Sequence, residues 1–263
     1  VGSPNAAGDG YRIAMDNGAC SFMADSAQSI LYAIEAFPPI DFHDVAENPL
    51  YGYFGIASGG PVLWVNEACR RYTREDLAND NLALQCLPGK GNKGNYVVFD
   101  QAIFDRFFGK NDDAKKAFYD AIKANGGGSI YQSDSLADLA GRFNLDADAL
   151  KAAVDRYNEL CGEGADSDFG KAAGLMVPIE TPPFYLAKLS YNYFFSVGGI
   201  TTDGRHRVLD GRRNPIEGLY AIGNDGNMLY RNVYTVNMPG VAFGHQVNSG
   251  REAANAVLEY LDR

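Results

Sequence analysis

The sequence lacks the residue patterns of several common functional classes. No two cysteines stand at C-x-x-C spacing, so zinc sites and thioredoxin-type sites have no support. The three histidines are not at metal-ligand spacing, and we expect no metal site. No apolar run approaches the ~20 residues of a membrane-spanning helix, so no span is expected in this chain. The scattered cysteines, which fit reduced structural thiols, are Cys20, Cys69, Cys86 and Cys161.

The chain also lacks a surplus of basic residues. Its 263 residues carry a formal net charge of -10, whereas surfaces that bind nucleic acid or anionic lipid are basic. We therefore expect neither of them as a partner. No signal peptide is visible, and the chain begins at Val1 in what reads as mid-domain sequence, so the localisation stays open.

The hydrophobic patterning predicts α/β structure at both ends of the chain and an α+β insertion between them. Aspartate–glycine pairs at 203–204 and 210–211 predict a hairpin. Strands are predicted at 62–66, with a return at 70–73, and at 95–100, 184–187, 193–200 and 218–222, and those at 95–100 and 218–222 are expected to be buried. Helices are predicted from Asp9, as N-cap, to Gly18, and over 112–125, 135–143, 146–161, closed by Gly162, and 241–261.

The last third of the chain carries the pattern with the clearest chemical meaning. A strand at 218–222 runs into Gly223-Asn224-Asp225-Gly226, and Pro239-Gly240 then opens a helix. Glycine at the end of a strand lets a ligand approach the backbone closely. The N-terminus of a helix presents unbonded N–H groups and a partial positive charge. Together these features predict a site for an anion or an electron-rich oxygen, such as that of a reduced flavin.

Several motifs, in this order along the chain, resemble those of the fumarate reductase/succinate dehydrogenase flavoprotein superfamily, to which ketosteroid dehydrogenases also belong. They are Gly-Asp-Gly at 8–10, Gly-Pro-Val-Leu-Trp-Val-Asn-Glu at 60–67 with Arg71-Tyr72, Val-Gly-Gly-Ile-Thr-Thr-Asp at 197–203, Gly-Leu-Tyr-Ala-Ile-Gly-Asn-Asp at 218–225, Pro-Gly-Val-Ala-Phe-Gly at 239–244 and Ser-Gly-Arg-Glu-Ala-Ala at 249–254. The resemblance spans residues 8 to 258.

The resemblance implies FAD as the cofactor and a Rossmann-like FAD-binding domain with an inserted α+β capping domain. Residues 1–50 and 185–263 would belong to the FAD-binding domain, and 51–184 to the capping domain. The G-x-G-x-x-G fingerprint for the ADP moiety is absent. We expect that segment in the same parent chain or in a partner chain, and an electron-donor domain or protein as a further partner. The implied cofactor-binding residues are Gly223, Asn224, Asp225, Pro239, Gly240, Val241 and Ala242.

The positions that clamp a dicarboxylate in the fumarate-type members carry neutral or aromatic residues here. By the resemblance they fall at Asn79, Asn237 and Phe194 or Phe195, none of which offers a guanidinium for a carboxylate. The expected substrate is therefore a larger, more apolar molecule than fumarate. The predicted substrate-binding residues are Tyr53, Asn79, Phe194, Ser196 and Asn237, and further aromatic candidates are Phe54, Phe195, Tyr230 and Tyr234.

The expected reaction is that of an FAD-dependent oxidoreductase acting on CH–CH groups. Hydride passes between flavin N5 and the carbon β to a carbonyl of an enone- or enoate-type substrate, while a side chain handles the proton at the α carbon. The candidates for this proton are Tyr193, Tyr234, Arg231, Arg74 and Arg71. Two alternatives stay open: a non-catalytic fragment, or an α+β binding module whose glycine motifs are structural.

Overall fold

The structure is a computed structural model that describes residues 7–22, 28–35, 60–76, 90–124, 126–230, 238 and 240–262, of which 28–33 and 191–196 are described by their backbone. The chain divides into two compact units. Residues 31–192 form the larger unit, and residues 2–30 and 193–263 form the smaller one. Their assignment to a capping domain and an FAD-binding domain stays a prediction.

The described residues form both strands and helices, with runs of consecutive strands near each end of the chain. The strands are β1 (Ser21–Phe22), β2 (Gln28–Ile34), β3 (Leu63–Asn66), β4 (Asn95–Asp100), β5 (Ile130–Ser133), β6 (Phe184–Ser196), β7 (Gly199–Ile200), β8 (Arg207–Leu209) and β9 (Pro215–Tyr220). The helices are α1 (Asp9–Asp16), α2 (Gln101–Phe108), α3 (Asp112–Ala124), α4 (Leu136–Arg142), α5 (Ala147–Glu163) and α6 (Val241–Leu261), with a 3-10 turn at Ala173–Leu175.

A five-stranded sheet runs through the larger unit in the order β2-β6-β4-β3, with β5 also paired to β6. The pairs β3–β4, β4–β6 and β5–β6 are antiparallel. Every residue of β4 is buried, because β4 lies between β3 and β6 and carries apolar side chains on both faces. The predicted strands at 62–66 and 95–100 are therefore confirmed, and the return after β3 is confirmed by the bridge between Val65 and Arg71.

Aromatic side chains form the centre of the larger unit's core. The ring of Tyr185 stacks on Phe99 at 4.9 Å and on Phe104 at 5.3 Å, and Phe118 meets these rings edge-on. Trp64 is fully buried in the same core. Such rings bury large apolar areas, and their pairs add about 0.5–1.5 kcal/mol beyond the burial. This packing attaches α2 and α3 to the sheet.

Carboxylate and hydroxyl caps explain where the helices of the larger unit begin. Asp100 accepts a hydrogen bond from the Ile103 amide at 2.9 Å and starts α2, a helix that the hydrophobic pattern did not predict. Ser135 and Asp146, at which two helices were predicted to begin, cap α4 and α5. The prediction that Gly162 ends α5 is wrong, because the left-handed conformation that ends this helix is adopted at Gly164.

A buried cluster of charged side chains joins four segments of the larger unit. The Arg71 guanidinium donates to both carboxylate oxygens of Glu75, at 2.8 and 2.9 Å, and to both of Asp166, at 2.9 and 2.7 Å. The Lys171 ammonium lies 3.3 Å from Glu75 and donates to the Val62 carbonyl and the Tyr157 hydroxyl. Buried charges require such complete pairing, so this cluster fixes the segments around β3 and α5.

The smaller unit holds α1, α6 and two-stranded sheets formed by β1–β7 and β8–β9. The prediction that Asp9 caps α1 is wrong: Gly8, in the left-handed conformation, takes the N-cap position, and Asp9 begins the helix. The strand before Gly223 was predicted to be buried, but β9 is exposed or half-buried along its length. A two-stranded sheet offers little apolar surface on which such a strand can be buried.

Neither a membrane span nor a metal-ligand cluster is found in the described part of the chain. No helix there is both long and apolar enough to cross a bilayer. Among the same residues, no group of three or more histidine, cysteine, aspartate or glutamate side chains is placed to hold a metal ion.

Candidate cofactor site

Three glycine motifs that are far apart in the sequence meet at Asp225 in the smaller unit. A β-carbon added to Gly10 would lie 2.1 Å from the Asp225 carboxylate, and one added to Gly199 would lie 2.3 Å from the Asp225 carbonyl oxygen. The Ile200 amide donates to that same carbonyl at 2.6 Å. The motifs at 8–10, 197–203 and 218–225 therefore form one structure, which depends on the absence of side chains at Gly10 and Gly199.

The turn after β9 is attached to α6 by two hydrogen bonds. The Gly223 amide donates to the hydroxyl of Ser249, a residue 1% exposed, at 3.0 Å, and the Gln246 side-chain amide donates to the side-chain oxygen Oδ1 of Asn224 at 3.1 Å. Gly223 has a φ of +58°, in the left-handed region that favours glycine. These contacts fix the Gly-Asn-Asp-Gly turn against the helix. Ser249 and Gln246 were not singled out from the sequence, although Ser249 stands in the Ser-Gly-Arg-Glu motif.

Among the described residues, some amide groups at the N-terminal tip of α6 have no acceptor. Gly240, at a φ of +85°, takes the N-cap position, and no side chain caps the helix. The Gly244 amide bonds to the Gly240 carbonyl, while Ala242 and Phe243 direct amides at no acceptor among the described residues. No acidic side chain occupies the first turn. Such a tip carries a partial positive charge and suits an electron-rich oxygen.

These features fit the isoalloxazine and ribityl parts of an FAD. The ring needs amide donors at its electron-rich N1 and C2-carbonyl edge, and the α6 tip has them uncapped. The ribityl chain needs close backbone approach, which the turn at Gly223 permits. The residues that would hold the group here are Gly223, Asn224, Asp225, Gly240, Val241 and Ala242.

Two histidine rings are in contact near the N-terminus of α6. The rings of His206, in the turn before β8, and His245, in α6, are 6.3 Å apart and meet edge to face. Burial and the neighbouring His245 ring lower the pKa of His206. This shift favours the neutral form of the His206 imidazole beside the positive end of the helix.

Several predicted site residues cannot be placed at this site. Six of them lie outside the residues that the structure describes: Tyr53, Asn79, Arg231, Tyr234, Asn237 and Pro239. Tyr193, Phe194 and Ser196 lie on the last part of β6, where the structure describes the backbone. The roles predicted for all nine residues stay predictions.

Two of the three arginines proposed for proton handling, Arg71 and Arg74, lie in the larger unit. Arg71 is enclosed in the buried charged cluster: burial opposes its charge, but hydrogen bonds to Glu75 and Asp166 raise its pKa above the ordinary value. A guanidinium held this way is a poor proton donor, and its geometry points to a structural role. Arg74 has a side chain about one-third exposed, and its guanidinium lies 3.5 Å from the Asp76 carboxylate.

The chain belongs to the FAD binding domain family, whose match covers residues 1–236. The resemblance to the fumarate reductase flavoproteins and ketosteroid dehydrogenases is confirmed, FAD is the cofactor of this family, and its members include oxidoreductases that act on carbon–carbon double bonds.

Individual relatives support the same assignment. The chain is 27% identical over 280 residues to the vinyl phenol reductase of Lactiplantibacillus plantarum, covering 99% of this chain and 55% of that protein. It is 26% identical over 220 residues to the fumarate reductase (cytochrome) of Shewanella frigidimarina, covering 84% and 34%. The fold matches the 3-ketosteroid delta1-dehydrogenase of Sterolibacterium denitrificans with a TM-score of 0.68 at 24% identity, covering 99% and 48%. The chain thus spans about half the length of the first relative.

Proposed function

We propose that this chain is the substrate-side and C-terminal part of an FAD-dependent oxidoreductase that acts on an activated carbon–carbon bond. The observation that supports the proposal is the meeting of three glycine motifs at Asp225, in the same unit as the uncapped tip of α6. If the glycine motifs had a purely structural role, the tip of α6 would not need unbonded amides. The names of the relatives, a vinyl phenol reductase and a fumarate reductase among them, fit the same chemistry.

When bound, FAD supplies a two-electron centre at N5. The chain's own contribution is positioning: the amides of the first turn of α6 direct positive potential at the electron-rich edge of the ring and so favour its reduced, anionic state. The effect of a helix dipole is about 0.3–1 kcal/mol, rising to ~2 kcal/mol in a partly buried site. This contribution makes the cofactor more oxidising.

Asp225 is assigned to the ribityl chain rather than to the pyrophosphate. Its carboxylate is negatively charged and would repel a phosphate, whereas it accepts hydrogen bonds from hydroxyl groups. The contact with Gly10 places this carboxylate against the first turn of α1, where the positive end of the helix dipole favours a negative charge. Gly223 and Asn224 would contact the same part of the cofactor from the turn.

The proposed substrate is an enone- or enoate-type molecule that is not a dicarboxylate. Asn79, Phe194 and Asn237 offer no positive charge to a second carboxylate, and Tyr53 and Ser196 complete the proposed substrate contacts. A tyrosine hydroxyl at Tyr193 or Tyr234, or a guanidinium at Arg231 or Arg74, would exchange the proton at the α carbon.

The proposal is tested with the protein that comprises this chain and its dinucleotide-binding segment, whether upstream in the same gene or in a partner chain. We expect flavin absorbance after gel filtration. Anaerobically reduced protein is then mixed with enones, cinnamate- and acrylate-type acids, steroids and fumarate, and the return of the oxidised flavin spectrum is followed. Rapid reoxidation by an apolar enone or enoate, but not by fumarate, supports the proposal. The absence of bound flavin, or preferential turnover of fumarate, contradicts it.

A further inference from the structure

Two turns, one before β8 and one between β8 and β9, are built in the same way. In the first, Asp203 accepts the His206 amide on its carbonyl oxygen, and its carboxylate accepts the amides two and four residues further on. In the second, Asp210 makes the same bonds, with the Arg213 amide in place of the His206 amide. His206 and Arg213 both adopt the left-handed conformation, with φ values of +62° and +66°. The turn therefore accepts either side chain and does not itself explain a histidine at 206.

The His206 side chain contacts α6, whereas Arg213 is exposed. The His206 ring meets the ring of His245 at a centroid distance of 6.3 Å. The Nδ1 atom of His206 and the Nε2 atom of His245 are enclosed by protein, and neither has a hydrogen-bond partner among the described residues. Buried polar atoms are normally hydrogen-bonded, so an unpaired one requires an explanation. Each ring thus keeps one nitrogen that no described neighbour holds in a fixed protonation state.

Two carboxylates and the second ring determine how many protons this histidine pair accepts. Burial and the His245 ring lower the pKa of His206, and Asp203 and Glu252 oppose this shift. Two neighbouring imidazoles repel each other when both are charged, whereas the carboxylates of the turn and of α6 attract a single positive charge. The pair therefore accommodates one added proton far more readily than two.

The remaining charged side chains of the turn and of this part of α6 are in ion pairs: Arg207 with Asp203, Arg205 with Glu259 and Arg251 with Glu252. The end of β9, whose Ala221 amide donates to the His206 carbonyl, carries the hydroxyl of Tyr220, which donates to the Ala256 carbonyl at 3.4 Å. Imidazole is the side chain whose ordinary pKa lies near neutral pH. Among these described neighbours, the histidine pair is therefore the group whose charge changes in that range.

His245 links the pair to the tip of α6. It is the fifth residue of a helix that begins at Val241, and helical side chains tilt towards the N-terminus of their helix. The ring therefore lies towards the first turn, whose amides are assigned to the electron-rich edge of the flavin. A positive charge on the pair would add to the positive potential of that turn.

We propose that the His206–His245 pair takes up one proton from solvent when the flavin is reduced, an inference that rests on the proposed function. Two electrons come from an external electron donor, and one proton goes to flavin N5, which leaves a negative charge at the N1 and C2-carbonyl edge. A second proton goes to the pair, so the ring keeps its negative charge while a positive charge forms nearby. His206 acts through His245 and is a positioning residue rather than a catalytic one.

The pH dependence of flavin reduction in the FAD-bound protein tests this proton uptake. The flavin is reduced anaerobically with dithionite against a dye of known potential, between about pH 5 and pH 8. Where the pair takes its proton, the equilibrium constant for reduction should gain an extra factor of about ten per pH unit, or about 30 mV for a two-electron couple. His206→Asn should lose this factor, because asparagine fits the left-handed conformation and takes up no proton. Arg213→Asn, the same substitution in the same backbone conformation, is the matched control and should retain it.

Two further variants keep the test independent of the folding of His206→Asn. His245→Gln removes the other ring and should abolish the same factor. Glu252→Gln removes a carboxylate that attracts the proton and should move the extra uptake to lower pH, a shift that a loss of packing would not produce. If the histidine variants keep the pH dependence of the unmodified protein, the second proton goes to the flavin itself and the inference is overturned. An unmodified protein without the extra factor overturns it as well.

The outcomes separate this inference from the proposed function. A flavin-bound protein whose pH dependence is the same in every variant contradicts the proton uptake by the pair and leaves the proposed function intact. A protein that binds no flavin contradicts the proposed function and, with it, this inference.

Discussion

The close contact between Gly199 and Asp225 gives the sharpest prediction of the structure. In Gly199→Ala the new methyl group would lie 2.3 Å from the Asp225 carbonyl oxygen, whereas an ordinary contact is 3.4–4 Å. A backbone oxygen cannot rotate away as a side chain can, so the turn at 223–226 must shift. We expect a loss of about 1–3 kcal/mol, the usual cost of overpacking, with strain added to the bond from the Ile200 amide to the same oxygen.

Two further glycine variants are the controls for this prediction. Gly204→Ala adds a methyl group that meets nothing within 4 Å, so its unfolding free energy should change by less than ~1 kcal/mol. Gly10→Ala meets the Asp225 carboxylate, the mobile end of an exposed side chain, and should cost less than Gly199→Ala. The double variant Gly10→Ala/Asp225→Ala should recover the loss of the single Gly10 change.

The assay is urea unfolding of each variant, together with the FAD content of the protein that includes the dinucleotide-binding segment. Gly199→Ala should lose both stability and flavin, because the displaced turn carries Gly223 and Asn224. If Gly199→Ala unfolds at the same urea concentration as Gly204→Ala and retains its flavin, the close approach at Asp225 does not affect the free energy of unfolding, and the reasoning is refuted.

Three further predictions concern the buried polar groups. Arg71→Met leaves Glu75 and Asp166 without their main partner and should cost about 3–5 kcal/mol in urea unfolding; a cost below ~1 kcal/mol would contradict the structural role of the cluster. Burial raises the pKa of Asp166, but hydrogen bonds from Arg71 and backbone amides outweigh burial and lower the pKa from 3.8 to about 2. The contribution of Asp166 to the free energy of unfolding is therefore complete above about pH 4 and lost towards pH 2. In Asp166→Asn the free energy of unfolding should depend less on pH in this acidic range. Ser249→Ala removes the acceptor of the Gly223 amide and should cost about 1–2 kcal/mol, with weaker FAD retention, whereas unchanged retention would argue that the turn does not depend on α6.

The elements with strong local signals could be predicted from the sequence. β3 and β4 are short β-branched and aromatic runs, and Ser135 and Asp146 are residues that cap helices, so these elements were placed correctly. α2 was missed because Asp100, the residue that caps it, is also the last residue of β4. The strand pattern therefore runs directly into the start of the helix, with no loop between them. Gly162 was taken as a helix end because a local pattern does not show that Gly164 adopts the left-handed conformation.

The candidate site could be predicted in part. Glycine motifs and the start of α6 were recognisable because their residue types have few other uses. Their meeting at Asp225 could not be derived, because Gly10 stands 215 positions before Asp225 in the chain, a separation beyond any local pattern. The exposure of β9 was also unexpected, since an apolar run indicates a buried strand without showing which part of the protein buries it.

The most direct test of the account is the distance between the first-turn amides of α6 and the flavin in a crystal structure of the FAD-bound protein. We predict that the backbone nitrogen of Ala242 or Phe243 lies 2.7–3.2 Å from the C2 carbonyl oxygen or N1 of the ring, the distance of a hydrogen bond. A structure in which these amides are covered by protein side chains, with the ring bound elsewhere, would contradict the central claim.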